Sequence, residues 1–189
     1  MIVNILLPLS LVYDLDENNF DSKFYLGYIF YSLKKYNQAI KELTQALLLN
    51  TADPSTYYYL GKSYSLVDKK KQALESFMMA IKLDPYNGHA HFELGKIYEL
   101  VFKKKLALDH YSLADKYIDS HELNYTYGLL LYNEQLYRKA ISPLRKFIIY
   151  EEDNIEVLEI LGEIFIKENR YPEAIDTYNR LIDKNSDEE

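Results

Sequence analysis

Five glycines constrain this chain more than any other feature. Gly27, Gly61, Gly95, Gly128 and Gly162 stand 34, 34, 33 and 34 residues apart, and of the six glycines only Gly88 falls outside the series. Self-similarity at a fixed period of this size marks a repeat architecture. The neighbours keep the same period. Leu precedes the glycine at Leu26, Leu60, Leu94 and Leu161, with Tyr127 the exception. An alanine follows each glycine by twelve positions, at Ala39, Ala73, Ala107, Ala140 and Ala174. Sixteen positions on stand Leu43, Phe77, Tyr111, Leu144 and Tyr178, and nineteen on stand Ala46, Ala80, Ala114, Phe147 and Leu181.

Offsets of three and four place residues on one helical face. Small residues at recurring positions let two helices approach closely, and large apolar ones fill the space around them. Glycine inside a helix costs about 1 kcal/mol against alanine, so its return in every unit points to packing. Each unit reads as two antiparallel helices, A and B. In the second, Asp53-Pro54 opens helix A over 55–67, a polar turn spans 68–71, and helix B covers 72–83 until Asp84-Pro85.

This pattern resembles the tetratricopeptide repeat family: Leu-Gly and a following aromatic on helix A, Ala and an aromatic on helix B, then Asp-Pro. The resemblance implies an all-α, right-handed superhelical solenoid of five antiparallel helix-turn-helix units, 20–53, 54–87, 88–120, 121–154 and 155–188. The family's aromatic four before the glycine becomes Lys23, His91, Asn124 and Leu158, with only Tyr57 keeping it. One residue is missing near Asp119, which predicts an irregular meeting of units three and four. Residues 1–19 are expected to form an N-terminal apolar helix, a half-repeat or cap. Stepping back one period puts Ile5, Leu9 and Val12 at helix B positions, so 1–16 are expected to form the helix B of a truncated repeat, covering the open end of the stack. Pro8 then shares the position of Pro143, where a lost backbone donor is bearable only near a helix start.

Composition narrows the function. A net charge of -7 argues against nucleic acid as partner, because phosphate binding needs a basic face. The absence of cysteine removes disulfides and thiolate sites. No stretch reaches transmembrane length. The 20 tyrosines without tryptophan fit a base-composition bias shared with Asn, Lys and Ile, and they also suit binding faces. No GxSxG, Walker loop, GxGxxG or HExxH occurs, so neither enzyme nor cofactor is expected. His89 and His91, two apart, read as surface or groove residues on different faces. Lys69–Lys71 and Lys103–Lys105 read as solvated turn charge.

The resemblance implies a groove lined by A helices that binds a peptide or protein. Carried onto this chain it comprises Tyr25, Tyr28 and Tyr31 in unit one; Tyr59 and Lys62 in unit two; Glu93 and Lys96 in unit three; Thr126, Leu129 and Tyr132 in unit four; and Glu156, Glu159 and Glu163 in unit five. Phe24, Tyr58, Phe92 and Tyr125 are expected in the core. The four tyrosines Tyr25, Tyr28, Tyr31 and Tyr59 would form an aromatic shelf, Lys62 and Lys96 a small positive centre, and the three glutamates an acidic end. Relatives that clamp the acidic tails of heat-shock chaperones use Lys, Asn and Arg where this chain has Phe24, Tyr28, Tyr59, His89 and Glu93, so that clamp is absent. The expected function is an interaction scaffold; the alternative is a regulatory or targeting module of a larger enzyme or of a secretion or envelope assembly system. A cytoplasmic location is expected, or an envelope one if residues 1–13 act as a signal or anchor. Ile175, Leu181 and Ile182 mark an apolar edge suited to self-association.

Overall fold

The computed structural model describes residues 19–186, with side chains to Ile182; the expected N-terminal helix and the acidic tail lie outside the described residues. The described residues form ten α-helices and no strand: α1 Phe20–Ser32, α2 Tyr36–Leu49, α3 Pro54–Leu66, α4 Lys70–Leu83, α5 Gly88–Leu100, α6 Lys104–Tyr117, α7 His121–Asn133, α8 Tyr137–Tyr150, α9 Ile155–Lys167 and α10 Tyr171–Ser186. They divide into two compact units, Met1–Lys103 and Lys104–Glu189.

In the first unit α1 packs on α2, α3 on α4, and α2 and α4 meet the helices that follow them. Ala39, Leu43 and Leu60 form one core cluster; Ala73, Phe77, Ala80, Ala90 and Leu94 form another. In the second unit α7 pairs with α8 and α9 with α10, burying Leu123, Leu131, Leu144, Val157, Leu158, Ile164 and Phe165.

The glycines explain the intimacy of each pair. A Cβ built on Gly27 would lie 2.5 Å from Leu43 Cγ, and one on Gly61 would lie 2.7 Å from the Phe77 ring. One on Gly128 would lie 2.5 Å from Leu144 Cδ2, and one on Gly162 would lie 2.6 Å from the Tyr178 ring. The residue sixteen positions on therefore rests directly on the glycine backbone, with no room for a methyl group.

Local chemistry sets the helix ends. Each A helix opens on a polar cap eight residues before its glycine: Asn19, Asp53, Asn87, Ser120 and Asn154 each accept a bond from a first-turn N–H. Such a cap satisfies one of the donors left unpaired at a helix start. Each A helix closes on a residue in the left-handed region: Lys34, Asp68, Phe102, Gln135 and Asn169, all with φ of 57–59°. The next N–H in each case donates to a carbonyl five residues back, as from Lys35 to Phe30 and from Arg170 to Phe165. This is a Schellman closure made without glycine. It lets helix B begin at Lys70, two residues before the expected start.

One expectation needs correction. Pro143 lies in the middle of α8 and is buried, so the helix tolerates it away from its start. The carbonyl that loses its donor belongs to the exposed Lys139, which water can serve. The missing residue near Asp119 is taken up in the link 118–120, which has three residues where 50–53, 84–87 and 151–154 have four.

Gly61→Ala is expected to destabilise the protein by about 1–3 kcal/mol through overpacking, although an unhindered helical glycine would gain about 1 kcal/mol from the change. Chemical denaturation measures the sign, and a more stable variant would contradict the packing described. Phe102→Gly is expected to act the opposite way. Phe102 is 86% exposed and left-handed. Relief of about 1–2 kcal/mol of backbone strain outweighs the entropy cost of glycine, about 0.5–1 kcal/mol, and the melting temperature should rise.

Candidate functional site

The A-helix residues expected to line a groove fall into two surfaces, one on each unit. On the first unit, α1 supplies Tyr25, Tyr28 and Tyr31 and α3 supplies Tyr59. Tyr59 is the hub: its ring centroid lies 4.9 Å from Tyr28, 5.5 Å from Tyr31, 5.2 Å from Tyr58 and 6.2 Å from Phe24. Tyr25 and Tyr28 remain 39% and 37% exposed, while Tyr31 and Tyr59 are half-buried. Tilted and edge-on rings at these spacings hold one another in place. Burial pushes the Tyr31 phenol up from its ordinary value, helped by the Glu93 carboxylate. Burial, with Tyr28 and Tyr31 beside it, does the same to Tyr59.

The shelf borders a charged triad in which Glu93 joins the two lysines expected to form a small positive centre. Glu93 of α5 lies between Lys62 of α3 and Lys96 of its own helix. It accepts from Lys62 Nζ on Oε1 and from Lys96 Nζ on Oε2, the latter at 3.2 Å. Glu93 is 8% exposed, so its carboxylate is held inside by the two ammonium groups. Lys96 also sits 4.7 Å over the Phe92 ring. The triad carries one net positive charge.

Of the four residues expected in the core, Phe92 is buried, whereas Phe24, Tyr58 and Tyr125 are half-buried. The surface reading of His91 fails. It is 4% exposed, its Nε2 lies 3.2 Å from the Pro85 carbonyl, and burial lowers its pKa. His91 occupies the position four before the glycine, and polar residues there find partners on neighbouring elements. Asn124 Nδ2 likewise reaches back, donating to Asp119 at 3.0 Å, whereas Lys23 pairs forward with Glu42 of α2 at 3.2 Å.

On the second unit, Tyr132 of α7 donates to Glu163 of α9 at 2.6 Å, and Tyr125 donates to Glu156 at 3.1 Å. Two of the three glutamates are thus already engaged, while Glu159 is exposed. Thr126 donates to the Glu122 carbonyl of its own helix, and Leu129 is half-buried. A cleft of about 290 Å³ here, lined by His121, Glu122, Tyr125, Phe147, Glu151 and Asn154, was not foreseen. His121 stacks on Phe147 at 4.5 Å, a contact that needs the α7–α8 packing to be known. Elsewhere Ile175 and Ile182 of α10 are exposed, and among the described residues no helix is long and apolar enough to cross a membrane.

Comparison with known proteins gives a consistent result. Models described as TPR repeat and tetratricopeptide repeat match residues 27–67, 54–87 and 125–189, together more than half of the chain. No curated protein matches the sequence. Among solved structures, YrrB, described as a TPR protein with an unusual peptide-binding site, superposes with a TM-score of 0.72 at 19% identity, covering 93% of this chain and 91% of its own. PilF of Pseudomonas aeruginosa gives 0.72 at 16% identity, with 94% and 88% covered. MamA from Desulfovibrio magneticus RS-1 gives 0.65 at 16%, with 87% and 93% covered. At these identities the likenesses establish a shared fold and nothing more.

The Glu163 hydrogen bond, with burial and charge behind it, pushes the Tyr132 phenol up to about 12 from 10.0. The folded protein therefore holds this proton more tightly than the unfolded chain. The stabilisation is fully present below pH 10 and is lost as pH rises through about 12. Tyr132→Phe is expected to cost roughly 0.5–1 kcal/mol at neutral pH. It should also make the alkaline loss of stability shallower, read from urea midpoints across that window.

Proposed function

The chain belongs to the tetratricopeptide repeat family, and on that premise we propose that it is an interaction scaffold, not an enzyme, which holds a peptide or protein segment on the tyrosine shelf of its first unit. The observation that carries this reading is the ring cluster of α1 and α3. Tyr28 and Tyr59 stand edge to face at 4.9 Å, with Tyr25 and Tyr28 open to solvent. Tyrosines immobilised by one another offer contact area at little further cost in side-chain entropy, which suits them as binding hot spots.

The partner's chemistry follows from what borders the shelf. An apolar or aromatic side chain would lie on the rings. The Lys62–Glu93–Lys96 triad, with its single net positive charge, would tolerate a polar or acidic neighbour. The peptide-binding site of YrrB is a precedent for the class of ligand. A cytoplasmic setting fits this reading. On the second unit, Glu159 with Glu156 and Glu163 would favour basic residues of a partner over acidic ones.

Immobilised protein is expected to retain a partner that the Tyr28→Ala/Tyr59→Ala variant loses, while Leu48→Ala, altered at an exposed position of α2, retains it. Tyr25→Ala/Tyr28→Ala, which changes only exposed rings, separates lost contact from lost folding, and circular dichroism checks each variant. Equal retention by all of them would refute the shelf as the binding surface.

A further inference from the structure

Of the 22 basic residues only four are arginine, and all four lie between 138 and 180. Three of them line one cleft of about 680 Å³ on the second unit, formed by Arg138, Ile141, Ser142, Arg145, Lys146 and Ile149 of α8 with Glu168 and Arg170 beyond α9. Lysine carries the rest of the chain's positive charge, so arginine is concentrated where a planar fork of donors, rather than charge alone, is presented.

The forks are held in place. The guanidinium carbons of Arg145 and Arg170 each lie 5.1 Å from the centroid of the Phe165 ring, which is 2% exposed. Arg170 Nε donates to Glu173 at 2.9 Å, and Arg138 Nε donates to Glu168 at 2.7 Å. Lys146 pairs with Asp115 at 2.6 Å. Among the described residues Arg145 makes no ion pair. Three of the cleft's four cations are thus paired with carboxylates, whereas Arg145, whose charge is also felt by Glu173, makes no direct pair and rests on the Phe165 ring.

We infer that this cleft is a binding site for a phosphate dianion, free or as a monoester. Arg138 and Arg170 each use one edge on a carboxylate and keep other N–H donors, and Arg145 keeps its full set. A singly charged carboxylate would have to compete with Glu168 and Glu173, already seated. A dianion with three acceptor oxygens has more to gain from the same forks. The Ser142 hydroxyl adds a neutral donor, and Ile141 with the exposed Ile149 offers apolar contact to the carbon portion of the ligand. The cleft shares no residue with the tyrosine shelf, so its occupancy does not depend on the scaffold reading.

Isothermal titration of the intact protein tests this with four probes: inorganic phosphate, a phosphoserine peptide, the same peptide with serine, and the same peptide with glutamate. Phosphate and the phosphopeptide should bind, the serine peptide should not, and the glutamate peptide should bind at least about tenfold more weakly. Arg145→Ala should weaken phosphopeptide binding about tenfold or more, and Arg145→Lys should fail to restore it because the fork is lost. Arg138→Ala, on a side chain 87% exposed, gives a second reading free of folding effects, and Tyr28→Ala should leave binding unchanged. Tighter binding of the phosphopeptide than of phosphate assigns the source to a phosphorylated partner, and equal binding to the free anion; both uphold the site. Equal binding of the glutamate and phosphoserine peptides, unaltered binding by both arginine variants, or no binding of either phosphate probe would overturn it.

Discussion

The contact between a glycine on one helix and the bulky side chain sixteen residues later underlies everything else in this molecule. It brings the two backbones of a pair so close that a single methyl group would collide. With that approach fixed, alanine is the residue that fits twelve positions after the glycine, and Ala39, Ala73, Ala107 and Ala140 are buried without any exposed surface. The close approach also fixes which residues of an A helix remain outside the pair. Those residues form the tyrosine shelf and the charged triad.

A second set of interactions joins one pair to the next, and it runs at a sequence separation of 30 or 31. Lys62 to Glu93, Tyr125 to Glu156, Tyr132 to Glu163 and Arg138 to Glu168 all follow it. So do Lys146 to Asp115 and Tyr150 to Asp119. Exposed polar pairs contribute little singly, but a repeated spacing means that, within each compact unit, neighbouring helix pairs are aligned by the same device. This has a functional corollary. The polar groups that α7 and α9 present are largely occupied with each other, whereas the shelf on α1 and α3 consists of rings whose contact area stays open.

Helix positions and the small-large packing code could be read from the chain because they recur with one period and one residue type. The closing turn could not. Lys34, Asp68, Phe102, Gln135 and Asn169 share a backbone conformation but no side-chain chemistry, so nothing in their identities announces it. The burial of Glu93 between two lysines was hidden for another reason. Lys62 and Lys96 look like adjacent positive charges in a register of equivalent positions, and only the stagger between neighbouring helices shows that a carboxylate two before the third glycine falls between them. The two-residue spacing of His89 and His91 separates their faces but does not tell which face is covered, and His91 lies on the buried one, bonded back to the Pro85 carbonyl of the preceding link. Arg138, Arg145 and Arg170 lie apart in sequence and are gathered by the turn of α8, which brings Arg138 and Arg145 to one cleft, and by the buried Phe165 ring, which Arg145 and Arg170 share.

The two kinds of connection differ in how they are held. Each corner within a pair is three residues long and locked by a left-handed residue and a backbone bond. The link from one pair to the next is three residues in one place and four elsewhere, without disturbing the helices it joins. Change in chain length is therefore accommodated between pairs and resisted within them. A gene encoding such a chain can gain or lose whole pairs by duplication or recombination at these joints, each new module bringing its own internal glycine contact with it.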